Sequence, residues 1–336
     1  MAKKIYQPLI PIFDLDNTLG WKTPTYPNIT KNNGDFLHYF SLYNNAKSIF
    51  ATGRPRTQAR VGLQKGNIQN VEIYKIFSGG VFEDGLFVEN KDGEIYNALN
   101  ESPEGFKKMR NAFFSEKAKI FFDANGYVLF PDCVVRQKEK NGKTFYEKLD
   151  YDENLVSEII QDLPKNFKGI LYEQGNDVRA TYKAPIGFGN DELEKQRPFF
   201  DELEPFIKEF MEKQGDYDNH TTLVKWEDAL EIYPVLGKEV FRKGIGVEMI
   251  LEKIDPNRES KLIFCCDGKN DISLVTHLEK NYNNFLIVIP SNASSGLVEK
   301  IFEMNKNEKR GYILKEDCTK FGNGFIKLLR EMDYID

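Results

Sequence analysis

The densest apolar stretch near the start of the chain, Leu9 to Phe13 with one proline inside it, gives way abruptly to Asp14-Leu15-Asp16-Asn17-Thr18. A short apolar run closed by a polar turn reads as a buried strand, predicted over residues 5–14. Gly20 to Gly34, rich in Pro, Asn and Thr, reads as loop. The pattern then predicts an aromatic-rich helix over Asp35–Tyr43 and a second strand over Ala46–Ala51, which ends at Thr52-Gly53-Arg54-Pro55. Strand, helix and strand in so short a space imply a right-handed crossover between parallel strands, with no room for an inserted domain. A helix over Thr57–Lys65, a third strand over Ile73–Phe77, a turn at Ser78-Gly79-Gly80 and a hairpin of Val81–Glu89 with Gly93–Tyr96 complete the segment.

From about Ala98 the character changes. Helices are expected at Glu104–Phe114 and Asn154–Leu163. Antiparallel-type strands are expected at Ala118–Phe122, Tyr127–Phe130, Val134–Lys138, Thr144–Lys148, Gly169–Gln174 and Asp177–Tyr182. A last helix over Glu192–Lys213 and a return through Ala229–Tyr233 close what reads as a small α+β domain. The parallel pattern then resumes: a helix over Val247–Ile254, a buried strand over Leu262–Cys266 and a helix from Ile272 to Leu278. After these come a strand over Phe285–Ile289, a helix to Met304, a short strand at Tyr312–Leu314 and a closing helix over Gly324–Met332. The fold class is therefore α/β: a parallel-sheet core from residues 1–96 and 232–336, with an α+β domain, 97–231, inserted between its halves.

Composition agrees with two domains: 336 residues, 40% hydrophobic and 29% charged, exceed one usual domain. The net charge of −6 is interspersed, which gives no reason to expect a nucleic-acid partner and means that an anionic substrate needs local positive charge. The four cysteines show no CxxC spacing, and Cys265-Cys266 lies in an apolar run, as reduced, buried thiols of a cytoplasmic protein would. Met1-Ala2-Lys3-Lys4 is followed by neither an apolar signal region nor a cleavage site, and no run is long enough to span a membrane. Nothing in the sequence fixes an oligomeric state. His38, His220 and His277 are given no role.

The chemistry gathers at strand ends. Two carboxylates at about 4 Å repel by ~4 kcal/mol at an effective dielectric of about 20, so Asp14 and Asp16 make sense side by side if a cation sits between them or one holds a proton. Thr52 falls at the carboxyl end of the second strand, beside Asp14 at the end of the first, where open α/β sheets place ligands. The Thr52 hydroxyl and the N–H groups after it can donate to a phosphate oxygen, Gly53 permits close backbone approach, and Arg54 offers a fork for an anion. Lys243 precedes a helix, and Asp267-Gly268-Lys269-Asn270-Asp271 closes another buried strand. Asp267 also suits the N-cap of the next helix; capping and metal ligation can coexist there.

Four carboxyl-end segments in this order resemble the haloacid dehalogenase superfamily of phosphotransferases. Its DxDx[TV] motif is matched by Asp14-Leu15-Asp16-Asn17-Thr18. Its GDxxND-like motif is matched by Asp267-Gly268-Lys269-Asn270-Asp271, with Cys266 in place of the usual glycine. The resemblance covers about residues 5–95 and 232–310. Its Ser/Thr and lysine motifs fall on Thr52 and Lys243, and the long interval between them is where the type II, Cof-like branch carries a cap. Thr-Gly-Arg and Lys-Gly look like that branch's sucrose-phosphate and trehalose-phosphate phosphatases; Glu83-Asp84-Gly85 and Ser291-Asn292-Ala293 match its Asn-Gly-Ala and Gly-Asn-Ala only in part.

The resemblance implies a Mg²⁺-dependent phosphatase of a small, sugar-type phosphate monoester. Asp14 would be the nucleophile and Asp16 the general acid and base. Thr52, Gly53, Arg54, Lys243 and Asn270 would hold substrate. Asp14, Asp267, the backbone oxygen of Asp16 and, through water, Asp271 would hold the metal. Glu173, Asn176 and Arg179, in a hairpin of the cap, are candidates to face substrate. Two rival readings stand beside this one: a phosphomutase of the phosphomannomutase type, whose hairpin is echoed in Val81–Gly93, and a non-catalytic binding protein on the same fold.

Overall fold

Leu9–Phe13 (β1) buries all five side chains and forms the middle of an eight-stranded sheet. The computed structural model describes residues 8–23, 26–44, 47–114, 121–122, 127–129, 134–141, 143–149, 171–172, 177–183, 204–205, 208–209, 212–213, 221–225, 229–236, 242–306 and 308–335. The chain divides into two compact units, residues 1–97 with 241–336, and residues 98–240.

The first unit carries the large sheet. After β1 a small hairpin, Gly20–Lys22 (β2) with Pro27–Ile29 (β3), precedes helix Lys31–Asn44 (α1) and strand Ile49–Ala51 (β4), which pairs parallel to β1. Helix Arg56–Lys65 (α2) and a single turn, Ile73–Ile76 (α3), lead to Gly79–Phe82 (β5). Phe87–Asn90 (β6) and Gly93–Asn97 (β7) turn back antiparallel. The expected third strand over Ile73–Phe77 is thus a helical turn: Ile73 and Ile76 are buried three residues apart, the spacing of one helix face. The glycines expected to make a turn lie instead inside β5, because a Cβ on Gly79 would meet the Ile250 side chain and one on Gly80 the Phe50 ring. A strand that must slide beneath two large side chains keeps its ladder and gives up its own side chains.

In the second unit, helices Ala98–Glu101 (α4) and Glu104–Phe114 (α5) accompany two four-stranded antiparallel sheets. One is built from Phe121–Phe122 (β8), Tyr127–Leu129 (β9), Val134–Lys140 (β10) and Lys143–Leu149 (β11). The other is built from Leu171–Tyr172 (β12), Ala180–Lys183 (β13), Thr221–Lys225 (β14) and Ala229–Pro234 (β15). Arg179 is buried here with its guanidinium on Glu231 and the Tyr233 hydroxyl, a contact internal to this unit. Glu173, Asn176, the helix expected at Asn154–Leu163 and most of Glu192–Lys213 lie outside the described residues.

The chain re-enters the large sheet through helix Lys243–Ile254 (α6) and Lys261–Cys265 (β16), which pairs parallel to β1 on the side away from β4. Helix Ile272–Asn281 (α7), Phe285–Ile289 (β17), helix Ser295–Met304 (α8), Gly311–Ile313 (β18) and helix Phe321–Glu331 (α9) complete the order β18-β17-β16-β1-β4-β5-β6-β7. The first six are parallel. Connections leave β1 toward β4 on one side and arrive from β16 on the other, so the switch in winding falls at β1 and opens a crevice at its carboxyl end. Phe13 anchors the sheet edge-on against Phe36 of α1 and Phe321 and Phe325 of α9, contacts that hold the strand end beneath Asp14. Among the described residues no helix is long and apolar enough to cross a membrane.

Candidate active site

Asp14 is the first residue past β1, and its N–H still donates to the Cys265 carbonyl at 2.8 Å, so the ladder holds the carboxylate in register with β16. Two residues beyond that strand partner stands Asp267. The chain after Asp14 folds at once: the Leu19 N–H reaches the Leu15 carbonyl at 3.1 Å and Asn17 takes a left-handed φ of 50°. That turn brings the Thr18 hydroxyl to 3.4 Å from Asp267 Oδ1, joining the first and last acidic segments directly. Asn292 fastens the same turn from a third strand end, donating to the Asn17 carbonyl at 3.0 Å while its own oxygen accepts from the Cys318 N–H at 2.7 Å.

Asp14, Asp267 and Asp271 each offer a carboxylate oxygen within 4.8 Å of the others. Lys243, the first residue of α6 and wholly buried, places its ammonium 2.6 Å from Asp271 Oδ1, 3.2 Å from Asp14 Oδ1 and 4.0 Å from Asp84 Oδ1. Asp271 spends its other oxygen on the Gly268 N–H at 3.1 Å, which closes the loop carrying Asp267. Lys243 is fixed from behind as well. The Arg242 N–H donates to the Asp84 carbonyl at 2.8 Å, and Gly85, at φ 98°, runs so close that a Cβ there would stand 2.2 Å from the Arg242 carbonyl carbon.

Thr52 is fully buried at the end of β4. Its N–H donates to the Val81 carbonyl at 2.9 Å and its hydroxyl oxygen accepts from the Arg54 N–H at 3.1 Å, an arrangement that leaves the O–H proton as a donor. Gly53 passes beside Asp84, whose carboxylate would lie 3.1 Å from a Cβ at that position. Arg54 turns its guanidinium to Asp16, with Nε 2.7 Å from Oδ2 and Nη2 3.0 Å from Oδ1. The Asp16 carboxylate is thereby tied to Arg54 and is not one of the three that converge within 4.8 Å, Asp14, Asp267 and Asp271. Asn270 lies in the turn before α7, its carbonyl accepting from the Ser273 hydroxyl, and its side chain makes no hydrogen bond to the acidic group among the described residues.

Electrostatics follow from burial. Burial and the nearby Asp271, Asp267 and Asp16 push the Asp14 carboxyl well above the usual range, with Lys243 opposing. Burial, then Asp271 and Asp16, push Asp267 up to about 8 against the pull of Lys243 and a hydrogen bond from Asn17. Burial opposes the charge on Lys243, but Asp271, Asp14 and Asp84 outweigh it and hold the ammonium well above its ordinary value. Two strained carboxyls beside a single shared ammonium leave negative charge in excess, and an all-oxygen donor set of this kind fits a hard dication. Asp84 and Asn292 are the contributors that residue types alone did not single out; their signal was position, in the Glu83-Asp84-Gly85 and Ser291-Asn292-Ala293 segments.

No curated protein sequence matches the chain. Among solved structures, one similar chain is a hypothetical protein from Geobacillus kaustophilus HTA426, at 16% identity and a TM-score of 0.50 over 97% of this chain and 99% of that one. The sucrose-phosphatase from Synechocystis sp. PCC6803 is 12% identical, TM-score 0.46, over 98% and 100% of the two chains. The trehalose-6-phosphate phosphatase of Aspergillus fumigatus is 13% identical, TM-score 0.45, over 97% and 94%. The model of the haloacid dehalogenase-like hydrolases matches residues 12–283, from the strand that ends at Asp14 through the helix that follows Asp271, and the chain belongs to that family.

Proposed function

We propose that this hydrolase is a Mg²⁺-dependent phosphatase that cleaves a small phosphate monoester through an aspartyl-phosphate on Asp14. The observation that carries the reading is the meeting of Asp14, Asp267 and Asp271 within 4.8 Å, with the Lys243 ammonium bridging Asp14 and Asp271. Phosphoryl transfer needs an in-line nucleophile and neutralisation of charge on the equatorial oxygens. Asp14, Asp267 and, through water, Asp271 are the side chains that would hold Mg²⁺, with the Asp16 backbone oxygen; the ion would supply that neutralisation when bound.

The chain's own residues do the rest. An Asp14 oxygen forms a bond to phosphorus as the ester oxygen–phosphorus bond breaks, and Asp16 gives its proton to the departing alkoxide. Asp16 then takes a proton from water as that water attacks phosphorus, which frees Asp14 and inorganic phosphate. Thr52 and Lys243 donate to the phosphoryl oxygens, and the Lys243 charge also relieves the repulsion among the carboxylates. Residues 98–240 are read as the cap that selects the alcohol, a sugar by the Thr-Gly-Arg and Lys-Gly resemblance. Release of phosphate from a broad panel of phosphate monoesters, with magnesium present, tests the reading; no release from any member overturns it.

A further inference from the structure

The β2–β3 hairpin, the Thr52 turn and helix α2 meet at one side chain. Arg54 is 4% exposed. Its Nε and Nη2 fork the Asp16 carboxylate at 2.7 and 3.0 Å, Nη1 reaches Gln58 Oε1 of α2 at 3.0 Å, and Nη2 also donates to the Thr23 carbonyl beside β2. A carboxylate held through both oxygens by a planar fork is fixed in place and direction. To grip a phosphoryl group instead, Arg54 would have to abandon Asp16 and leave a largely buried carboxylate without its partner.

We propose that Arg54 is the positioning residue of Asp16, setting where that carboxylate stands relative to Asp14, and that it does not grip the phosphate. This rests on the reading of Asp16 as the acid–base group. The fork takes one lone pair on each Asp16 oxygen, so a second lone pair remains to carry a proton to the leaving oxygen while Arg54 keeps the carboxylate in reach. Lysine cannot replace this function, because an ammonium presents no planar pair of donors.

The test compares esters that differ only in their need for that proton. Nitrophenolate leaves unaided, whereas an alkoxide must be protonated, and kcat/KM reports the steps through phosphorylation of Asp14 without the later hydrolysis. The full chain with magnesium is assayed on p-nitrophenyl phosphate and on an alkyl phosphate, as wild type, Arg54→Lys and Arg54→Gln, each checked by thermal melting. The expected result is a loss in kcat/KM on the alkyl ester at least about tenfold larger than on the aryl ester. Equal losses on both, with weaker inhibition by inorganic phosphate, assign Arg54 to the phosphate and overturn the proposal; so does a selective gain on the alkyl ester. If neither Arg54 variant folds, Gln58→Leu carries the test, and an unchanged alkyl-to-aryl ratio overturns it. A wild type inactive on both esters overturns the phosphatase reading itself, an outcome distinct from a wild type that is active but unselectively affected.

Discussion

The Lys243 ammonium lies 2.6 Å from Asp271 Oδ1, with both side chains wholly buried, so the start of one helix is pinned to the turn that opens another. A buried ion pair of this kind contributes less by existing than it costs to break. Removing one partner of such a pair costs about 3–5 kcal/mol because the other charge is left uncompensated. Lys243→Met should therefore lower the denaturation midpoint of the metal-free protein and abolish turnover. Magnesium should restore part of the stability and none of the activity. A variant that melts like wild type without metal would show that Lys243 is not what balances Asp14 and Asp271.

Stability without metal should fall as pH rises. Asp267 is held up to about 8 and Asp14 well above its usual range, so the folded chain keeps protons that the unfolded chain sheds from near 3.8 upward. Where the folded state binds more protons, raising the pH favours unfolding. The contribution is absent below about pH 4 and develops toward pH 8. Asp267→Asn should thus be more stable than wild type at pH 8 in a chelator, no more stable at pH 4, and should lose the stabilisation that magnesium gives wild type. Melting curves at the two pH values, with and without the ion, read all three.

Gly53 and Gly85 both run close to the Asp84 turn, but for different reasons. A methyl on Gly53 would stand 3.1 Å from the Asp84 carboxylate, whereas Gly85 combines φ 98° with a 2.2 Å approach to the backbone of Arg242. A side chain can give way and a helix entry cannot. Gly53→Ala should cost about 1–3 kcal/mol, and Gly85→Ala more, since it adds left-handed strain to overpacking. Urea midpoints rank them; the reverse order would contradict the packing described around Lys243.

What could be read from the chain alone was set by pattern. Leu9–Phe13 ending in Asp14 was legible because a buried parallel strand is an uninterrupted apolar run, and the same holds for Lys261–Cys265 ending near Asp267. Ile73–Phe77 misled because a run of five apolar and amphipathic residues fits either period, and only its packing on the core selects the helical turn. Gly79-Gly80 misled for the opposite reason: the signal of a turn was in fact the clearance needed beneath Phe50 and Ile250. The residues gathered at the strand ends were legible by type and order, whereas the direction of the Arg54 guanidinium toward Asp16 depends on a rotamer that no spacing encodes.

Asp14→Asn replaces an oxygen nucleophile with an amide of the same shape. The variant should fold and, like Asp267→Asn, melt no higher than wild type at pH 4 and higher at pH 8 in a chelator, yet lose turnover by about 10³-fold or more. Phosphate release by the variant at the wild-type rate would move the chemistry away from this strand end.

The most direct measurement is to quench the magnesium-loaded enzyme during turnover of a phosphate-labelled monoester and locate the label by peptide mass spectrometry. The expected result is a phosphoryl group on the peptide containing Asp14, absent from Asp14→Asn, with free phosphate as the final product. Steady release of phosphate with no labelled enzyme, or label on a peptide that lacks Asp14, would contradict covalent transfer through that residue.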